Sequence, residues 1–299
     1  MIRKADMQDY NALHTLYSNS FPQDYVNYFF EKEYDPFDTY LVENNGEIAA
    51  TIYAKKVDIM LKGYPVRAVF LKNPYRNALM REEANQRIMM QEILEEISYN
   101  NLLVFVRPEG NEIYKKMGFE PLYIQKQYTI SRAQVPVYPT SMIYDTYEDI
   151  DLLHVYEQYA SHFEGYGIRD LKYYQSKRIY NDAMNYRTLA YYSAEHKCEG
   201  YVVYDLSDDP IRIEEIVYVN SVAFLKLISY LLNLKGSIEF AVSPLEKISR
   251  MIPTAVGKLK TDIWAKIMDY SLLNRLLQSG YTTVNDLAEG SARPLFYHD

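Results

Sequence analysis

Tyr114 has the most telling surroundings of any reactive side chain in this sequence. It lies in RPEGNEIYKKMGF, residues 107–119. The run NLLVFV at 101–106 reads as a strand, Pro108 and Gly110 mark a short loop, and 113–117 reads as a brief helix stopped by Gly118. A phenol with a pKa of ~10 is a competent proton donor to a basic leaving group. The competing account is a packing tyrosine, because the chain holds 32 of them. Asn111 sits in the loop, flanked by Arg107 and Glu109; a loop amide either bonds a ligand or caps a turn. A second segment, KNPYRNALMR at 72–81, joins an expected strand to an expected helix. Its Arg76 and Arg81 are suited to charge-assisted bonds with phosphate. Other chemistries lack support. Histidines 14, 154, 162, 196 and 298 show no metal-ligand spacing, so no metal site is expected. No Ser or Cys stands in a nucleophile elbow. Glu214 and Glu215 are adjacent on an expected strand, point to opposite faces and make no carboxylate pair.

The elements that must position these groups follow from periodicity. A strand at 2–5 leads to Asp6, an N-cap with Asp9 three residues on. Leu13, Leu16 and Tyr17 give 7–19 helical spacing, and a second helix covers 24–32. Asn45-Gly46 is a strong turn signal between strands 39–42 and 48–59. Lys62-Gly63 marks another turn before a strand at 64–71. Residues 82–99 form an amphipathic helix with Ile88, Met89, Ile93, Leu94 and Ile97 on one face. Residues 122–131 alternate as a closing strand. The prolines at 136 and 139 make 135–139 an extended linker. A similar order then returns: helices at 149–161 and 171–181, strands at 186–193, 200–206 and 211–218, a helix at 221–234, a strand at 237–242, a short helix at 244–251, a closing strand at 265–269 and a final helix at 271–278. This order predicts an α+β fold with mixed, mostly antiparallel sheets. The domains expected are 1–134, 135–279 and a tail at 280–299.

Composition narrows the partners. The chain has 299 residues, one large domain or two ordinary ones. A net charge of -8 disfavours a nucleic-acid binder, whose footprint is basic. The single cysteine, Cys198, excludes an intramolecular disulfide and fits a reducing cytosol. The N-terminus has no apolar run of signal-peptide length, and no window is long enough to cross a bilayer. A cytoplasmic protein without membrane partners is expected.

The order of motifs over residues 1–275 resembles the enhanced-intracellular-survival (Eis) family of GNAT N-acetyltransferases. The opening Ile-Arg-x-Ala-x-x-x-Asp at 2–9 and the 107–119 segment match in the first half. Tyr166-Gly-Ile-Arg169 to Tyr174, Glu199-Gly-Tyr-Val-Val-Tyr204, Ile213-Glu-Glu-Ile216 and Lys266-Ile-Met-Asp269 match that family's degenerate second domain. The resemblance implies two tandem GNAT-like domains, and a sterol-carrier-like third domain that has no counterpart here.

The resemblance also implies acetyl transfer from acetyl-CoA to a primary amine, on a small cationic molecule or a lysine side chain. Tyr114 would be the general acid. Val69, Phe70 and Leu71 would offer backbone groups to the pantetheine as an added strand does, and Asn111 would bond the same arm. Residues 24, 25 and 29–33 lie where such proteins build the acceptor pocket. Arg76, Asn77, Ala78, Leu79 and Arg81 would hold the pyrophosphate, where the family pattern has glycines. Side chains at glycine positions keep backbone away from phosphate. That departure supports the alternative of a non-catalytic, GNAT-derived binding or scaffold protein. A tandem-GNAT transferase using charged tRNA is disfavoured by the acidic charge. Self-association is a further implication of the resemblance.

Overall fold

The computed structural model describes residues 2–77, 80, 82–108, 112–291 and 295, apart from the side chain of Asn73. In chain order the elements begin with β1 (Ile2–Lys4), α1 (Tyr10–Ser18), α2 (Gln23–Tyr28), β2 (Thr39–Asn44), β3 (Glu47–Leu61), β4 (Tyr64–Arg76), α3 (Glu83–Ser98), β5 (Leu103–Val106), α4 (Ile113–Lys116) and β6 (Glu120–Ser131). They continue with β7 (Ile143–Tyr144), α5 (Asp149–Ala160), β8 (Tyr166–Gly167), α6 (Leu171–Ala183), β9 (Arg187–Tyr192), β10 (Cys198–Asp205), β11 (Ile211–Tyr218), α7 (Ser221–Lys235), β12 (Ser237–Val242), α8 (Ile248–Met251), β13 (Gly257–Ile267), α9 (Tyr270–Leu277) and α10 (Val284–Glu289).

Local signals account for most of these. Asp6 and Asp9 form a reciprocal capping box ahead of α1. The β2–β3 and β3–β4 hairpins turn on Asn45-Gly46 and Lys62-Gly63, all four residues with positive φ, the two-residue turn that matches strand twist. On α3, Met90 joins the buried face with Met89, Ile93, Leu94 and Ile97, while Ile88 points to solvent.

The chain divides into two compact units. The first comprises 1–123 and 262–291, the second 124–261 and 292–299. In the first, strands run β1-β2-β3-β4-β5-β13. The pairings are antiparallel up to β4, parallel between β4 and β5, and antiparallel again between β5 and β13. One face carries α3 and α4 over Ile52, Val69, Leu71, Val104 and Val106. The other carries α1 and α2 over Leu41 and Tyr53, with Tyr17 and Phe29 stacked at 5.2 Å. In the second unit the order is β7-β9-β10-β11-β12-β6, again with one parallel pair, β11 with β12. Its core is built from α5, α7 and the sheet, with Phe224 and Phe240 at 5.8 Å.

Each unit's closing strand therefore comes from the other's stretch of chain. Trp264–Ile267 pair with Val106–Leu103 in the first unit, and Ser237–Val242 pair with Ser131–Lys126 in the second. This corrects the domain expectation, which kept 122–131 with the first half and 265–269 with the second. Alternation identifies a strand but does not name its partner. β13 is also longer than expected, and part of the expected tail forms α10, entered through a Thr283–Asp286 capping box.

Candidate active site

The site begins where two parallel strands part. β4 and β5 pair in register from Ala68–Leu103 to Leu71–Val106. Beyond that point β5 ends, whereas β4 continues to Arg76 against β3. The β3–β4 register jumps between Thr51–Tyr75 and Tyr53–Lys72, so Asn73 and Pro74 together oppose Ile52. Pro74 has no N–H to lose at such a bulge, which explains why a proline is tolerated in a strand interior. A β4 edge thus opens at Lys72, with a bulge at its start.

This placement revises the roles expected for three residues. Val69, Phe70 and Leu71 are flanked on both sides, by Lys56–Ala54 of β3 and by Val104–Val106 of β5. An edge for an added strand starts at Lys72, immediately beyond them. Phe70 instead supplies a ring to the mouth. The ammonium of Lys72 and the guanidinium of Arg107 each lie 5.4 Å from its centroid. Arg107 is held by Asp262 through two contacts of 3.2 and 3.3 Å. Those partners are 155 residues apart, so nothing in the sequence links them.

Tyr114 is 6 % exposed on α4, the helix that follows β5, and its ring meets Phe119 edge-on at 5.6 Å. Its carbonyl accepts from the N–H groups of Met117 and Phe119, which closes the helix. Arg76 donates to Gln86 of α3 at 2.9 Å. The Asn77 N–H continues the ladder to Ala49, and its side-chain oxygen accepts from Met80 N–H at 3.0 Å. Ala78, Leu79, Arg81 and Asn111 lie outside the described residues.

The start of α3 is acidic, with Glu82 at the N-cap position and Glu83 in the first turn. Carboxylates complement a helix N-terminus and repel a second anion. On the opposite face of the sheet, a π-helical turn at Phe29–Glu33 follows α2. Phe29 and Phe30 are core residues and Asp24 is exposed. Glu33 pairs with Lys55 at 2.8 Å, accepts from the Tyr28 hydroxyl at 3.3 Å, and its carbonyl receives the Tyr53 hydroxyl at 2.8 Å. Burial, with the nearby Glu33 charge adding to it, pushes the Tyr53 phenol above its usual range. Lys55 stands directly opposite Phe70, so this polar cluster and the Phe70 cations share one face.

The arrangement is that of an acyl-CoA transferase cleft: splayed parallel strands, a bulged edge and a tyrosine on the following helix. Family models for an acetyltransferase (GNAT) domain match residues 1–122 and 165–254. The chain belongs to the GNAT acetyltransferases and carries two such domains in tandem. Comparison with curated proteins gives no match. A solved probable N-acyltransferase from Enterococcus faecalis V583 is 19% identical, with 90% of this chain and 72% of that chain covered at a TM-score of 0.71. Eis1 from Mycobacterium abscessus is 15% identical over 90% and 74% of the two chains, at 0.65. The N-myristoyltransferase of Saccharomyces cerevisiae with bound myristoyl-CoA is 8% identical over 89% and 78%, at 0.60. These likenesses are likenesses of fold. Among the described residues, no helix is long and apolar enough to cross a membrane, and no group of His, Cys, Asp and Glu could hold a metal ion.

Proposed function

We propose that the first unit transfers an acetyl group from acetyl-CoA to a primary amine, on a small cationic molecule or a lysine side chain. The observation that carries this reading is the end of β4–β5 pairing at Leu71–Val106, which leaves a bulged β4 edge beside the helix bearing Tyr114. Acetyl-CoA supplies an activated acyl carbon. The β4 edge from Lys72 offers N–H and C=O groups to an extended amide chain, as an added strand would receive them. Positioning the amine against the acyl carbon does most of the work. As the new C–N bond forms and the C–S bond breaks, Tyr114 gives its proton to the departing sulfur, the nitrogen's surplus proton leaves to solvent, and solvent returns a proton to the Tyr114 phenolate. The net charge of -8 favours a cationic acceptor and disfavours nucleic acid. We place the reaction in the cytoplasm.

The second reading, a non-catalytic binding or scaffold protein, is favoured by Glu82 and Glu83 at the start of α3. Calorimetry with acetyl-CoA separates the two. Binding is expected, and a titration into the millimolar range that gives neither heat nor thermal shift would sink the transferase reading. Tyr114→Phe is expected to lower kcat by about 10²-fold or more with little change in donor affinity. A full-rate variant would remove Tyr114 from its role.

A further inference from the structure

Residues 245–260 of the second unit carry Lys247, Arg250, Lys258 and Lys260, in a chain whose net charge is -8. All four are exposed, and among the described residues none of them makes an ion pair. Ile248 and Ile252, one turn apart, are fully buried and pin α8, which turns Lys247 and Arg250 outward. Three large aliphatic side chains stand among these cations in the open: Leu245 is 63 % exposed, Val256 82 % and Leu259 68 %. A lone exposed aliphatic is ordinary, whereas several gathered with unpaired cations mark a surface that meets something.

The fold brings the two ends of this segment together. β12 and β13 flank β6, one on each side, so they lie about 10 Å apart. Both approach the level of Lys126. Val242 of β12 is its register partner, and a Cβ on Gly257 of β13 would stand 2.8 Å from its Cε. Lys126, with its ammonium 5.6 Å from the Tyr128 ring centroid, is a fifth cation of the patch, and it too has no ion pair among the described residues. The carboxylates nearest in the chain are engaged. Glu246 accepts from the Tyr218 hydroxyl at 2.8 Å, Glu239 accepts from Gln127, and Asp262 holds Arg107.

We propose that this patch docks the chain onto an anionic lipid surface, with the five cations against headgroups and Leu245, Val256 and Leu259 at the acyl boundary. Charge alone would suit any acidic partner. The aliphatic side chains decide between partners, because they project from two separate stretches of chain. A lipid interface receives projecting apolar tips at any spacing, whereas a peptide needs fixed pockets or a strand edge. Four to eight clustered Lys and Arg side chains are the density that anionic leaflets attract. The rest of the chain is more acidic than the whole, so repulsion holds it off the surface and the patch alone approaches. This replaces the expectation of no membrane partner with contact at one face of a bilayer. Docking of this kind asks nothing of the first unit's chemistry, so it stands whether or not the transferase reading holds.

The test is co-sedimentation of the full chain at low salt with vesicles of phosphatidylcholine alone and of phosphatidylcholine with phosphatidylglycerol in equal parts. Binding is expected to the anionic vesicles only and should fade as salt is added. Lys258→Glu/Lys260→Glu changes exposed side chains and should weaken the partition at least about ten-fold. Val256→Ser/Leu259→Ser should weaken it several-fold and leave the salt dependence in place. Lys172→Glu/Lys197→Glu, the same change of net charge at exposed sites elsewhere in the second unit, should bind as the parent does. A parent chain that stays in the supernatant with anionic vesicles would overturn the proposal. So would equal losses in the two lysine-pair variants, which would make net charge the cause. Capture by soluble polyglutamate as tight as by vesicles, with no effect of Val256→Ser/Leu259→Ser, would replace the lipid with an acidic polypeptide.

Discussion

The two units share a strand plan and differ at the same point in it. In the first, parallel pairing of β4 with β5 stops at Leu71–Val106 and leaves an edge with a bulge. In the second, pairing of β11 with β12 covers Ile211–Ile238 and Arg212–Glu239, and the chain then fills the place with its own side chains. Tyr218, at the end of β11, donates to Glu246 beyond β12 at 2.8 Å and packs on Tyr159 and Phe224. Glu215 of β11 is buried and pairs with Arg169 at 2.7 Å. The Arg169 guanidinium lies 3.9 Å from the Tyr156 ring and 4.4 Å from that of Tyr173, and bonds the Tyr201 hydroxyl at 3.1 Å. The connection into α7 shrinks to Val219 and Asn220, and Asn220 caps its own helix at Ala223 N–H. The same place in the strand plan is a core in the second unit and a mouth in the first. Tyrosine supplies the filling of the second and, on the proposed reading, the proton donor of the first.

If that contrast is right, the largest effect belongs to the buried pair. Glu215→Gln leaves Arg169 charged and enclosed, and should cost about 3–5 kcal/mol in urea denaturation. Asp262→Asn, which touches the half-exposed Arg107 in the first unit, should cost under about 1 kcal/mol. Equal losses would erase the distinction between a filled cleft and an open one. Next comes Gly200→Ala. A Cβ there would sit 3.1 Å from the Val217 carbonyl and 3.2 Å from both Ala223 and Leu227, so overpacking of about 1–3 kcal/mol is expected by thermal melting.

Tyr218→Phe should remove about 1 kcal/mol and leave acetyl transfer at its full rate, the reverse of Tyr114→Phe. A Tyr218 variant that loses turnover would mean that the second unit also does chemistry. The smallest effect at neutral pH concerns Cys198, whose thiol burial pushes up to about 12. A disulfide reagent at pH 8 should label it only after denaturation. The neutral thiol is favoured in the folded chain, so its contribution to stability is complete below the ordinary value of 9.0 and disappears as pH rises from there towards about 12. Labelling of the native chain would show that this core is open.

Local chemistry made much of this readable in advance. The capping box at Asp6, the two hairpin turns and the spacing on α3 each fixed an element through contacts a few residues apart. Arg76 and Tyr114 were picked out by position next to a strand end. What escaped was long-range. Arg169 and Glu215 are 46 positions apart and Arg107 and Asp262 are 155 apart, and no periodicity links such partners. The strand expected at 64–71 runs on to Arg76, because a bulge that absorbs Pro74 depends on the neighbouring strand's register. The Thr283–Asp286 box before α10 is a legible signal inside the stretch expected as a tail.

The exchange of closing strands also sets an order of assembly during synthesis. The second unit's outer strand, 126–131, is made before the strands it will join, so that sheet can finish as its last residues emerge. The first unit is in the opposite position. Residues 2–123 are complete while 262–267 are still untranslated, and at about 5–20 residues per second the wait is on the order of ten seconds. Throughout it, Leu103–Val106, fully buried in the finished protein, stands as an apolar strand edge without its partner. For that interval the first unit is the half of the molecule with an apolar strand edge open to mispairing.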